Sequence, residues 1–524
     1  MDLTIHPALS QWLTERGPTL YPLGVAVILL FLVSYLARPK LNADIPWLSG
    51  AIPRISTTLL YVNNMPGFFE QTKVALAKKG IVQFYLGPMK TYFVTGTNSV
   101  RAIFRSAKEV SSDSFFLIAQ ARIWDATKED LAKFKNDKSG RLKVPLPGFE
   151  NVPDKERYWA GMHEVMHRYL SRPNETHVLA MNYQRYLEER FDTKFPLHKA
   201  KQVGVFDFLR DDMGMATTTA FNGKKILDMF PNILDLLWEF EDTAPSLVWG
   251  LPKWLNRGPV GNRDRFSHAV QTYLKAARPE MERIRKEDKD WEPVFGSRYV
   301  RELVNWTYET DLAMKTRGGC IMVLTIFAYV FFLSSEYHQP LIFLVTLDGC
   351  SANANTIPIA TWCVIELARS PALFAAVREE VATAYETDPA TGKKTLNVST
   401  LLSLPLLQSV YAEILRLHVS LIVLRKIASP LSVAGYTLEK GASIQAATDI
   451  DHFDDNVWGS EGHPAREFWP ERHVKIVDGK RQFVFAGSPY DFFPYGEFLS
   501  LSLSLSLWRA EKYSRDLFGW CTDS

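Results

Sequence analysis

One stretch, from Leu404 to Leu507, constrains this chain more than any other, because charged residues recur inside its apolar patterns and an alternating Leu-Ser run closes it. Its first piece runs Leu404-Pro405-Leu406-Leu407-Gln408-Ser409-Val410-Tyr411-Ala412-Glu413-Ile414-Leu415-Arg416-Leu417-His418. Glu413 and Arg416 lie three apart on an apolar helix pattern, so they share a face and pair there. A buried carboxylate needs a cation and hydrogen bonds, and a fork-shaped guanidinium supplies both. Arg425 follows, then a strand-and-turn run from Gly435 through Tyr436-Thr437-Leu438 to Gly441. Next come His452-Phe453-Asp454-Asp455-Asn456-Val457-Trp458-Gly459, Phe468-Trp469-Pro470-Glu471-Arg472 and Phe493-Pro494-Tyr495-Gly496. Glu-x-x-Arg alone is usually a solvated helix face; four pieces in this order are more specific.

Order and spacing resemble the K helix, the following sheet, the Glu-Arg-Arg triad and the cysteine-loop entry of the cytochrome P-450 family, the haem-thiolate monooxygenases. The resemblance covers roughly residues 20 to 496. It implies a mainly α fold with small β-sheets, the cytochrome P-450 fold, altered at its C-terminus and set behind an N-terminal membrane anchor. It implies haem b as cofactor, a flavoprotein NADPH reductase as electron source, and transfer of one oxygen atom from O2 into a C–H bond. Glu413, Arg416 and Arg472 become the structural triad, which is equally a fold-holding ion network. Arg425 is expected at a haem propionate through a charge-assisted pair, and Tyr495 and Gly496 at the entry to the cofactor loop.

After Gly496 the resemblance stops. The family's cysteine, seven residues after the aromatic, falls on Ser502, the second loop glycine on Phe498 and the residue before the ligand on Ser500. Thiolate pushes electron density onto iron for O–O cleavage, and a hard, un-ionised hydroxyl does not replace it. Cys521 comes later but lacks the loop. From Leu499 to Leu507 Leu and Ser alternate, the pattern of a two-faced strand. Another origin is a translated intron: Gly496-Glu497-Phe498 can be encoded GGTGAGTTC, which contains the splice-donor-like GTGAGT, and a CTCTCT tract reads as Leu-Ser. The chain as written is therefore expected to be inactive.

Ala352-Asn353-Ala354-Asn355-Thr356-Ile357-Pro358 resembles the family's oxygen-binding I helix, where a kink frees a backbone carbonyl and a polar chain delivers protons. Thr356 is the expected donor or water-holder; Asn355 stands where the family has an acid. By itself Ala-x-x-Asn-Thr is usually structural. The interval 318–349 fits the start of that helix poorly and reads as a second unspliced insert. Ala-Asn-Thr-Ile-Pro, with Leu404-Pro405 and Arg425, resembles the branch of sterol 7α- and 12α-hydroxylases and prostacyclin synthase, which implies a lipid-like, sterol-like substrate.

Residues Leu20 to Ala37 form an apolar run just long enough to cross a bilayer, with Tyr21 and Tyr35 near its ends and Arg38 and Lys40 after it. That pattern predicts a signal anchor contacting membrane lipid, single-pass in the endoplasmic reticulum, with the haem domain cytoplasmic. Asn174, Asn305 and Asn397, each in an Asn-x-Ser/Thr site, would then go unused. The domain reading is 1–40 anchor segment, 41–496 haem domain and 497–524 tail. With 47% hydrophobic and 23% charged residues and a net charge of +2, composition is ordinary for a globular chain and nothing points to nucleic acid. Cys320, Cys350, Cys363 and Cys521 lack metal-ligand spacing and suit a reducing compartment.

Elsewhere Ile81–Gly87 and Thr91–Gly96 predict a hairpin about Gly87-Pro88. Asp113 to Trp124 is rich in aromatics (Phe115, Phe116, Trp124); in the family this interval caps the substrate pocket. Asn136 to Pro153 reads as a loop and Pro153 to Leu170 as a helix carrying His163, His167 and Arg168. The two histidines, four apart, lack a third metal ligand, and a cation there contacting a propionate is the better reading. Residues 200–315 are helical, broken at Pro231, Pro252, Pro259 and Pro293, with a solvated charge run from Met281 to Asp290. Two rival readings remain: an inactive membrane-anchored relic that binds an apolar ligand or nothing, and a multi-pass membrane protein using 321–347.

Overall fold

The computed structural model describes residues 44–494 apart from 49, 51–53, 107, 171, 196–201, 328–352, 354–355, 388, 390–391, 393 and 489. The expected anchor at 20–37, Asn355, Tyr495, Gly496, Ser502 and the tail 497–524 lie outside the described residues. Among the described residues no single helix is long and apolar enough to cross a membrane.

Ile81–Leu86 (β1) and Met89–Val94 (β2) form the expected hairpin, paired from Ile81↔Val94 to Leu86↔Met89. Gly87 turns it at φ 55, a conformation that glycine adopts at no steric cost. Val110–Ser111 (β3), Ile422–Ile427 (β4) and Ser443–Ala447 (β5) complete a five-stranded sheet in the order β1-β2-β5-β4-β3. β5 runs parallel to β2 and antiparallel to β4, so distant parts of the chain close one sheet. Successive side chains alternate between its faces: Val82, Phe84 and Phe93 meet Phe68, while Tyr92, Val94 and Ile444 pack with Val100 and Phe493.

The rest is mainly helical. The helices that position the site are Asp113–Arg122 (α1), Tyr158–Leu170 (α2), Gly214–Asn222 (α3), Ala244–Val248 (α4), Arg257–Ala277 (α5), Arg298–Glu309 (α6), Met314–Ile321 (α7), Thr356–Arg369 (α8), Pro371–Ala382 (α9) and Pro405–His418 (α10). A large core gathers Phe116, Trp159, Phe266, Tyr299 and Ile321 from α1, α2, α5, α6 and α7, with Trp124 just beyond α1. Two expected boundaries move. Residue 153 opens a short 3-10 turn, Asp154–Glu156, and α2 begins only at Tyr158. Arg157 breaks the helix there: its buried guanidinium reaches back to the carbonyls of Lys143 at 2.8 Å and Leu142 at 2.5 Å. Pro259 does not break its helix but sits in the first turn of α5, where a missing N–H is harmless.

The interval 318–349 is not all insert. Cys320, Ile321, Met322, Val323, Leu324 and Ile326 are at most 3% exposed. A Cβ on Gly319 would lie 1.9 Å from the carbonyl oxygen of Trp124, so α7 and the chain after α1 touch backbone to backbone. The helix then widens into a π-turn, Met322–Phe327, where Thr325 donates to the Ile321 carbonyl at 2.7 Å. A widened turn shifts the apolar spacing off 3.6, which is why this stretch reads poorly as a helix start. Residues 318–327 belong to the fold.

Candidate functional site

α10 starts at Pro405, whose fixed φ suits a first helical position. The Glu380 carboxylate of α9 accepts the N–H of Leu406 at 3.1 Å and of Leu407 at 2.9 Å, capping the helix in place of an N-cap side chain. That anchorage holds Glu413 and Arg416 on the buried face of α10, both 0% exposed. Their pairing is bidentate, Arg416 Nε to Glu413 Oε1 at 2.7 Å and Nη2 to Oε2 at 2.9 Å. Arg416 Nη1 also donates to the carbonyl of His452 at 2.8 Å and Nη2 to that of Glu467 at 3.2 Å. Arg472 completes the expected triad, its Nε 3.4 Å from Glu413 Oε1 and its Nη2 3.3 Å from the Pro464 carbonyl. Burial by itself would raise the pKa of Glu413, but the Arg416 bonds and His473 outweigh it and hold it at about 2.

Two histidines that the sequence reading did not single out tie this triad to the segment that runs to Pro494. His473 Nε2 lies 3.2 Å from Glu413 Oε1, and Nδ1 accepts the N–H of Ala486 at 3.1 Å. His452 Nδ1 lies 3.1 Å from the Arg416 carbonyl, and Nε2 accepts the N–H of Phe493 at 3.0 Å. A backbone N–H only donates, so each accepting nitrogen is bare and the other carries the single proton. Both rings are therefore neutral. Burial agrees: it lowers the pKa of His473 and takes that of His452 to about 3. Phe492 stacks on His452 at 5.3 Å and Phe485 on His473 at 5.0 Å, fixing both ring planes. The signal available in sequence was thin: His452 heads a quoted run and His473 follows Arg472, but a lone histidine in an apolar run names no partner.

Beside this frame Asp451 is buried, accepting from Thr95 Oγ1 at 2.6 Å and Gly96 N–H at 2.7 Å. Burial outweighs those bonds and raises its pKa to about 7. Arg425 lies buried in β4, its Nη1 donating to the Leu424 carbonyl at 3.0 Å.

On the other side Thr356 opens α8, half-buried. Its neighbour Asn353 is 0% exposed and donates through Nδ2 to the Ile326 carbonyl at 3.0 Å and to Thr218 Oγ1 of α3 at 3.3 Å. That bond joins the end of the π-turn after α7 to the start of α8. α8 in turn packs on α10, where Trp362 stacks on His418 at 4.0 Å and His418 Nε2 meets Glu366 at 3.1 Å. On α2 the rings of His163 and His167 stack at 6.0 Å; burial takes the pKa of His163 to about 4 and lowers that of His167, so neither is a standing cation near neutral pH.

A family model described as Cytochrome P450 matches residues 347–497. The chain is 39% identical over 452 residues to "Cytochrome P450 monooxygenase calL" of Penicillium decumbens, covering 86% of this chain and 79% of that protein. It is 27% identical over 286 residues to "Cytochrome P450 monooxygenase fsoE" of Humicola fuscoatra, covering 52% and 45%. The fold is that of the retinoic acid bound cyanobacterial CYP120A1, with a TM-score of 0.56 at 14% identity over 90% of this chain and 92% of that one. Helical core and small sheets are those of a P450-type oxidoreductase. The chain belongs to the cytochrome P450 family, whose members carry haem and draw electrons from reductase partners.

Proposed function

We propose that the gene encodes a haem-dependent monooxygenase inserting one oxygen atom from O2 into a C–H bond of a lipid-like, sterol-like apolar substrate. We also propose that the 524-residue chain holds the frame for haem b without its axial ligand. A flavoprotein NADPH reductase supplies the electrons. The run at 20–37 anchors the chain in the endoplasmic reticulum membrane with the haem domain on the cytoplasmic side. Arg425 serves a propionate, and Thr356 with Asn355 the distal side. The branch resemblance in Ala-Asn-Thr-Ile-Pro supports the substrate class.

The observation that carries this reading is a complete frame followed by a missing donor. His452 and His473 fix the chain as far as Phe493, the family match ends at residue 497, and the ligand position is Ser502. Haem does not fit that donor set, since a hydroxyl is no substitute for a thiolate. Of the cysteines among the described residues, Cys320 is enclosed in α7 and Cys363 has its pKa raised by burial. An intron read through after Gly496 accounts for the loss.

The same account sharpens the upstream insert. Deleting residues 329–351 would place Asn353 four positions after Ile326, the spacing of backbone-bonded neighbours along a helix; the Asn353 side chain, through Nδ2, already reaches the Ile326 carbonyl. Ala328-Tyr329-Val330 can be encoded GCGTACGTN and Cys350-Ser351 TGCAGT, so excision from GTACGT to the CAG leaves the frame intact and rejoins Ala328 to Ala352. The family match begins at residue 347, inside the interval in question. Sequencing the transcript tests both junctions. The expected major message lacks codons 329–351 and diverges after Gly496 to encode a cysteine; both tracts present in most copies would overturn the account. The relic reading, an anchored protein binding an apolar ligand or nothing, then stands on Ser502.

A further inference from the structure

We draw no further inference here: the strongest candidate, the exposed apolar turn that carries Trp249, Leu251, Trp254 and Leu255 and touches helix Ile55–Asn63 where Trp249 meets Tyr61 at 6.1 Å, restates the membrane contact already proposed for this chain, and nothing in the structure shows another occupant for that surface.

Discussion

The N–H of Phe493 donates to Nε2 of His452 at 3.0 Å, and through the opposite nitrogen the same ring reaches the carbonyl of Arg416 at 3.1 Å. One neutral imidazole thereby sets the distance between the triad helix and the segment at Phe493. His452→Leu keeps much of the volume but leaves the Phe493 N–H buried and unpaired. The expected loss is about 2–4 kcal/mol, read as a lower urea midpoint. A variant as stable as the parent would show that the ring merely fills space.

Acid should weaken the protein through its buried histidines. His452 and His163 sit at about 3 and about 4 in the folded state against an unfolded value of 6.5. The unfolded chain therefore binds more protons between those values, and stability present above pH 6.5 is lost as pH falls toward 4. Unfolding at pH 5 should take up protons, measurable from the buffer dependence of the unfolding enthalpy. Glu413, held at about 2 against 4.5, adds a second loss below pH 4.5. In Asp451→Asn, which removes the opposing slope of that carboxyl, a flat profile from pH 7 to 5 contradicts the neutral, buried histidines.

Asp451 slopes the other way. Its folded pKa is raised from 3.8 to about 7, so the native state holds the extra proton in that window and stability falls as pH rises through it. Asp451→Asn can still accept from Thr95 and Gly96 and carries no charge to desolvate. Its melting temperature should exceed the parent's at pH 8 by more than at pH 4, and an equal offset at both would remove the argument.

Removing one partner of the triad should cost more than removing an ordinary surface pair. Glu413→Gln leaves Arg416 charged and enclosed, an expected loss of about 3–5 kcal/mol. Arg416→Lys keeps the charge without the fork that spans Glu413, His452 and Glu467. Denaturant midpoints for both should fall well below the parent's; near-parent stability would mean the pair is dispensable to folding.

The triad itself was legible because its code is local: Glu413 and Arg416 are three apart on one helix face, and Arg472 came through the resemblance. The β1–β2 hairpin was legible for the same reason, two β-rich runs about one glycine. His452 and His473 were not, since their partners Phe493 and Ala486 lie far along the chain and come within reach only after folding. The start of the broken helix was misread because a π-turn at Met322–Phe327 disturbs the very period used to recognise helices. Gly319 allows backbone contact in the fold, which no local pattern in the sequence announces.

That contact has its own consequence. Gly319→Ala would drive a methyl into the Trp124 carbonyl, 1.9 Å away, where neither backbone can yield cheaply. The loss should be at least about 1–3 kcal/mol, seen in a thermal melt. Tolerance of alanine there would reopen the possibility that the insert begins near residue 318.

The account's central claim is a frame intact but without sulfur at its end, and the most direct measurement is the carbon-monoxide difference spectrum of the purified 524-residue chain supplied with haem. The account predicts no Soret band at the position diagnostic of thiolate ligation. A full thiolate band, with hydroxylation of a lipid by the same preparation, would contradict it.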